Sequence, residues 1–164
     1  MLVNWENRSA IIANLFNPAF CGEIIRRTVS QYNLGEDEFP FLLTYLILPL
    51  VLHKQTRRVM PNSTTTYFHS WVEDNEHLFV NFSERVKEMN PFTKESTMFL
   101  LNQNSIKITD SGTIAIVQPY RKKVPTGDGI DEVKEIFRKA ELLGRWFRLT
   151  GNVQTIYMFL KIRP

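Results

Sequence analysis

The sequence predicts a mainly α-helical protein with a small β-hairpin, containing a winged helix-turn-helix-like portion. Apolar residues recur at helical spacing along most of the 164 residues. Between residues 106 and 118 the pattern changes to the alternation of strands. This hairpin follows a helix, a turn and a second helix, which is the element order of a winged helix.

Two helices are predicted near the start of the chain. The first spans Trp5 to Leu15, and the second begins at Asn17-Pro18 and reaches Asn33. Asn accepts hydrogen bonds from free amides at an N-cap, and Pro is preorganised for the first helical position. On the second helix we expect Glu23, Arg26, Arg27 and Ser30 to lie outside the core.

A central buried helix is predicted over Phe39–Leu52, where Asp, Glu, Lys and Arg are all absent. The run of about 14 residues is shorter than the roughly 20 that a membrane-spanning helix requires, so we expect a core helix. Pro49 should kink or split it.

A helix-turn-helix is predicted after Pro61. A short helix follows the polar run 62–66, a longer helix covers Glu76–Met89, and a third ends near Asn102. Asn90-Pro91 is expected to form the break between the last two.

The hairpin and the C-terminal helices complete the chain. Ile106 and Ile108 alternate with polar residues, 110–112 form a turn, and Thr113–Gln118 alternates again. Helices are expected over 130–149 and 153–162. The loop 119–129 divides the chain into a helical core with a winged-helix-like hairpin, residues 1–118, and a basic loop with C-terminal helices, residues 119–164.

The C-terminal helices carry more apolar residues than a pair of helices needs. These helices either pack back on the central helix or supply a partner-binding apolar surface. The residues concerned are Phe147, Ile156, Tyr157, Phe159 and Leu160.

Two basic clusters are the candidate contacts with nucleic acid or with a protein partner. They comprise Lys54, Arg57 and Arg58, and Arg121, Lys122 and Lys123. The first cluster binds either an acidic partner or the phosphate backbone of double-stranded DNA, or else it caps helix carbonyls. The third helix offers few side chains of the kind that read bases, so the sequence favours protein contact over sequence-specific readout.

No pattern of catalytic, cofactor-binding or metal-binding residues is found. The histidines His53, His69 and His77 have no metal-site spacing, and neither a P-loop nor a nucleophile elbow occurs. The single cysteine, Cys21, excludes an intrachain disulfide and is expected in the core. Because no active-site pattern occurs, we expect that the protein is not an enzyme. The first residues do not resemble a signal peptide, so we expect a cytoplasmic protein that does not bind a membrane.

Several blocks of the sequence are similar to the middle component of three-component ABC systems. They are Phe16-Asn17-Pro18-Ala19-Phe20, Leu48-Pro49-Leu50-Val51-Leu52-His53-Lys54 with Arg57 and Pro61, Trp71, Leu143-Gly144-Arg145-Trp146-Phe147 and Ile162-Arg163-Pro164. The resemblance implies a non-catalytic subunit of a Lamassu-type anti-phage system. Its partners would be an SMC/Rad50-like ABC ATPase and an effector, often a nuclease, and it would link DNA sensing to effector control.

Two hypotheses follow from the sequence. The first is an adaptor that binds the ATPase and the effector. The alternative is a winged-helix DNA-binding transcriptional regulator, which the predicted fold and the basic clusters favour. A stand-alone enzyme has only isolated histidines in its support.

Overall fold

Helices make up most of the computed structural model, which describes residues 7–120 and 130–163. About two thirds of these described residues, 67%, are helical, and the remainder includes a small antiparallel sheet. Within the described ranges the elements, in chain order, are α1 (Ala10–Leu15), α2 (Pro18–Tyr32), β1 (Phe39–Pro40), α3 (Thr44–Val51), α4 (Lys54–Val59), α5 (Phe68–Asp74), α6 (Phe82–Asn102), β2 (Ile106–Ile108), β3 (Thr113–Ile116), α7 (Ile130–Thr150) and α8 (Val153–Phe159). Two 3₁₀ turns, Phe41–Leu43 and Glu76–Phe79, precede α3 and α6.

Helix α2 begins where the sequence predicts. The side-chain Oδ1 of Asn17 accepts from the backbone amides of Ala19 at 2.8 Å and Phe20 at 3.4 Å, and Pro18 occupies the first turn. The expectation that Arg27 lies outside the core is wrong, because this side chain is buried. Its charge is compensated by ion pairs with Glu23 and Glu141, at 2.9 and 2.7 Å.

Helix α3 forms the centre of the core, as expected, but is shorter than predicted. Phe39 and Pro40 leave the helical run to form strand β1, and a 3₁₀ turn leads into α3. Apart from Tyr45, every residue of α3 is buried. Pro49 lies inside the helix and does not end it, since α3 continues to Val51. The apolar faces of α3 pack mainly against α2, α6 and α7.

The predicted hairpin is confirmed, and it gains a third strand. Strands β2 and β3 pair antiparallel with Ile108 opposite Ile114, and β1 adds to the other edge of β3, with Phe39 also opposite Ile114. The strand order is therefore β1-β3-β2. The sheet ties the start of α3 to the chain that follows α6.

The predicted break at Asn90-Pro91 is wrong. Helix α6 runs without interruption from Phe82 to Asn102 and contains Pro91. Buried residues occur on both sides of the proline, and the helix packs along α2 and α3. Burial of both halves therefore offsets the backbone hydrogen bond that Pro91 cannot donate. Without this turn, a winged-helix portion is not confirmed in the described residues.

Helix α7 packs closely along α2, and its predicted extent is confirmed to within a residue. Gly144 permits the approach, because a Cβ atom at this position would lie 2.2 Å from the carbonyl oxygen of Thr28. The hydroxyl of Thr28 also donates to the carbonyl of Ala140 at 3.0 Å. The α2–α7 contact is the most extensive helix pairing of the described chain.

Cys21 lies in the core, as predicted. Its side chain is fully buried on α2, and burial raises the pKa of the thiol to about 12. Helix α1, by contrast, contains no buried residue. In the described ranges, none of the helices combines the length and the apolar character needed to cross a membrane.

Candidate interaction surface

The first basic cluster is divided between the surface and the interior. Lys54 and Arg58 are exposed on α4, whereas Arg57 is only 2% exposed. The Nη1 atom of Arg57 donates to the carbonyl oxygens of Val51 at 3.0 Å and Leu52 at 3.2 Å. Arg57 thus caps the end of α3, as one of the two interpretations of this cluster expects.

Arg57 also links α4 to the start of α7. Its guanidinium group forms ion pairs with Glu132 and Glu135. These two carboxylates are partly exposed, so the buried positive charge of Arg57 is paired with negative charges at the solvent-facing surface of α7. These ion pairs explain how Arg57, alone among the three cations of the first basic cluster, is accommodated in the interior.

The second basic cluster lies outside the described residues. Arg121, Lys122 and Lys123 follow Tyr120, whose position is described. The guanidinium carbon of Arg27 lies 4.4 Å from the centroid of the Tyr120 ring and 4.2 Å from that of Phe137. The last described residue before the basic loop is therefore held against α2 and α7 by cation–π contacts.

The three histidines do not come together. His53 caps α4, where its Nδ1 accepts from the amide of Thr56 at 3.3 Å. Burial, together with nearby Arg85 and Arg57, lowers the pKa of His53 below its usual range. His69 and His77 are exposed on other elements. Among residues 7–120 and 130–163 there is no group of His, Cys, Asp or Glu side chains placed to hold a metal ion.

The structure places most of the predicted apolar surface in the core. Phe147, Ile156, Tyr157 and Leu160 are buried, so α7 and α8 pack back on the preceding helices, which is one of the two alternatives. Of these four residues, Tyr157 nevertheless lines a surface pocket, which is described below. Phe159 differs because it is only partly buried.

Three surface pockets surround the C-terminal segment, which we define as residues 153–163. The aromatic pocket, of about 270 Å³, is lined by Tyr67, His69, Leu149 and Phe159, among others. A second pocket of about 330 Å³ lies on another side of Phe159 and includes Phe79, Val80 and Lys161. The third, of about 510 Å³, includes Tyr45, Lys87, Tyr157, Lys161 and Arg163, and we call it the tyrosine groove.

The aromatic pocket is bordered by a short row of three rings in contact, of which the first two are stacked and the last two are tilted. The rings of Tyr67 and His69 lie 5.7 Å apart at their centroids, and the rings of His69 and Phe159 lie 5.5 Å apart. Tyr67 and Leu149 are 69% and 63% exposed. Large apolar side chains are thus presented to solvent at the rim of a pocket, as in the centres of protein–protein interfaces.

Comparison with known families identifies the kind of system to which this molecule contributes. The family described as ABC-three component (ABC-3C) system Middle Component 3 matches residues 5–164. The chain belongs to this family. No curated protein and no solved structure matches the chain. The predicted resemblance to a middle component of three-component ABC systems is therefore confirmed.

The sequence pattern of this Middle Component 3 protein indicated only part of the surface. Phe159 belonged to the predicted apolar set, and Arg163 to one of the family blocks. The sequence did not single out Tyr67, His69 and Lys161, which line these pockets, since their proximity depends on packing α5 beside the C-terminal segment. The available signal was an aromatic residue, Tyr67, placed directly after a polar run.

Proposed function

We propose that this Middle Component 3 protein is a non-catalytic adaptor that links an SMC/Rad50-like ABC ATPase to an effector such as a nuclease. Family membership supports an accessory role in a three-component ABC system. We further propose that the system is an anti-phage defence of the Lamassu type, in which the ATPase senses DNA and the adaptor transmits its state to the effector.

The exposed apolar surface around the C-terminal segment is the observation that carries this proposal. Tyr67, Leu149 and Val80 are each more than 60% exposed, and Phe159 lines both pockets that these residues border. Clustered apolar side chains of this kind mark protein interaction sites in proteins of this size. A subunit that works through contacts requires such a surface, and a regulator that reads DNA does not.

Two groups of cations support a secondary role near DNA. Lys54 and Arg58 are exposed on α4, and the cluster 121–123 adds three more cations. We propose that these residues contact the DNA backbone, or an acidic partner, once the complex has assembled. The winged-helix regulator has lost its main support, because α6 is continuous where a helix-turn-helix needs a turn.

Co-purification tests the adaptor proposal. The protein is co-expressed with the ABC ATPase and the effector proposed for its three-component system, and the complex is analysed by size-exclusion chromatography. We expect it to elute with at least one of them. Elution as a monomer in the presence of both partners would contradict the proposal.

Matched variants test whether the apolar surface is used. Tyr67→Asp with Leu149→Asp should weaken the complex at least about tenfold, since charges at an interface centre are poorly tolerated. Ile108→Asp, on the exposed side of the hairpin, is the control and should leave binding unchanged. Circular dichroism checks that all variants remain folded.

A further inference from the structure

The tyrosine groove differs from the other two pockets in its charge. It lies between the start of α3, the first half of α6 and the C-terminal segment. Its lining contains three cations, Lys87, Lys161 and Arg163, and no carboxylate. A ligand that enters this groove therefore meets positive charge from two directions.

The two lysines are held only by exposed ion pairs. Lys87 pairs with Glu84 at 2.9 Å and Lys161 with Glu76 at 2.7 Å, and all four side chains are largely exposed. Neither Glu84 nor Glu76 lines the groove. Exposed pairs of this kind contribute little stability and exchange partners readily. Both lysines are thus available to carboxylates of a ligand.

Arg163 adds a third charge to the groove. It has no ion-pair partner among the residues that the structure describes, and the two exposed pairs leave it as the uncompensated cation of the groove. The groove therefore carries a net positive charge, and a complementary ligand is negatively charged.

The rest of the groove is apolar and partly fixed in position. Tyr157 donates its hydroxyl hydrogen to the carbonyl of Leu42 at 2.8 Å, which fixes one wall of the groove. Tyr45, Val86 and Ile162 supply further partly buried apolar surface. An occupant needs an apolar side chain for this surface as well as negative charge for the rim.

We infer that the tyrosine groove binds an acidic segment of a partner subunit, with an apolar side chain against Tyr45 and Tyr157 and carboxylates against Lys87, Lys161 and Arg163. This inference rests on the proposed adaptor function and assigns one contact of that function to a defined site. A DNA backbone fits the groove less well, because phosphates and sugars offer no apolar side chain for its tyrosines.

Charge reversal in the groove is the first test. The triple variant Lys87→Glu, Lys161→Glu and Arg163→Glu is titrated against the purified ABC ATPase and the purified effector. We expect at least about tenfold weaker binding of one of them, because rim charges of the wrong sign repel an acidic segment. The control, Lys94→Glu with Lys107→Glu and Arg138→Glu, changes the net charge equally at exposed positions elsewhere and should bind as the wild type does.

Zero-length carbodiimide cross-linking is the second test. It joins a lysine amine directly to a carboxylate, so the wild-type complex should give amide links from Lys87 or Lys161 to Asp or Glu of the partner. Mass spectrometry of the digested complex locates these links. Their absence from a complex that does form would overturn the inference.

The outcomes separate the inference from the function on which it rests. If the wild type binds neither subunit, the adaptor proposal fails, and the inference fails with it. If the wild type binds and the groove variant binds equally well, only the inference fails. If the groove variant keeps its partners but loses affinity for double-stranded DNA, the groove is a nucleic-acid site and the inference is wrong.

Discussion

Gly144 permits the close approach of helices α2 and α7. A Cβ atom there would lie 2.2 Å from the backbone oxygen of Thr28, and neither helix backbone can yield without moving the whole α2–α7 contact. We expect Gly144→Ala to lower the free energy of unfolding by about 3 kcal/mol, in the upper range for overpacking. Urea titration followed by tryptophan fluorescence measures the loss.

Gly22 provides the matched control for Gly144. A Cβ at Gly22 would meet the flexible side chain of Leu100 at 3.2 Å and no backbone atom closer than 3.6 Å. Gly22→Ala should therefore change stability by less than about 1 kcal/mol, since the gain in helix propensity offsets a small displacement of Leu100. Equal losses at the two positions would contradict our account of the helix contact.

His53 should make stability depend on pH. Its pKa is lowered in the folded protein, so between that value and the ordinary 6.5 the unfolded chain binds more protons than the folded one. The stabilisation is complete above about pH 6.5 and is lost as the pH falls through the lowered folded pKa. The free energy of unfolding, measured in urea from pH 7.5 to 5, should therefore decrease.

His53→Asn isolates this contribution. Asn also accepts from a backbone amide at an N-cap but does not titrate, so the variant should lose part of the pH dependence while keeping helix α4. An unchanged slope in the variant would mean that other groups cause the pH dependence.

The burial of individual Lys and Arg side chains could not be predicted from the sequence. Lys139 is buried, and its Nζ donates to the carbonyls of Met60 and Pro61, at 2.7 and 3.0 Å, and to Oδ1 of Asn62 at 2.9 Å. These acceptors lie almost 80 residues away in the chain. Arg27 and Arg57 combine a nearby partner with a distant one. Arg27 pairs with Glu23 on its own helix and with Glu141 on α7, and Arg57 likewise reaches Glu132 and Glu135 on α7. No local pattern identifies the distant acceptors, and charged residues are rarely buried without such partners.

Helix α6 shows how packing overrides a local signal at the scale of elements. Pro91 lies near its middle, and an interior proline costs about 3 kcal/mol relative to alanine. Pro91→Ala should raise the free energy of unfolding by about 1–2 kcal/mol, because the helix gain is reduced by the greater entropy of the unfolded chain. Thermal or urea unfolding measures this change.

An exposed residue of the same helix serves as the comparison. Glu88→Ala should alter stability by no more than about 0.5 kcal/mol. Destabilisation by Pro91→Ala would show instead that the proline defines a turn, as the sequence suggested.

Elements with local signals were predicted well, and those set by distant partners were not. Asn17-Pro18 specifies the start of α2 by its own chemistry, and the alternation around 110–112 specifies the hairpin. Strand β1 was missed because Phe39 and Pro40 become a strand only by pairing with β3, more than 70 residues later. Of the apolar residues predicted for a partner surface, Phe159 lines the aromatic pocket and Tyr157 the tyrosine groove. Tyr67 and His69 were not predicted, since α5 and α8 must be packed before their exposed residues become neighbours.

At the scale of the whole molecule, stability should increase from the periphery to the α2–α3–α7 core. Helices α1 and α8 have similar lengths, but α1 buries no residue whereas α8 buries Ile156 and Tyr157. Hydrogen exchange measured by mass spectrometry should therefore show faster exchange for α1 than for α8, and the slowest for α2 and α7. Equal protection of α1 and α8 would indicate that α1 is covered by something else.

The position of Cys21 makes the protein convenient for site-specific chemistry. The only thiol of the chain is enclosed in the core, and its raised pKa keeps it protonated at neutral pH. Maleimide reagents should therefore leave the native protein unmodified, and a cysteine introduced at Tyr67 or Lys161 would be labelled alone. Fluorophore pairs could then report which face each subunit covers, without first removing a native thiol.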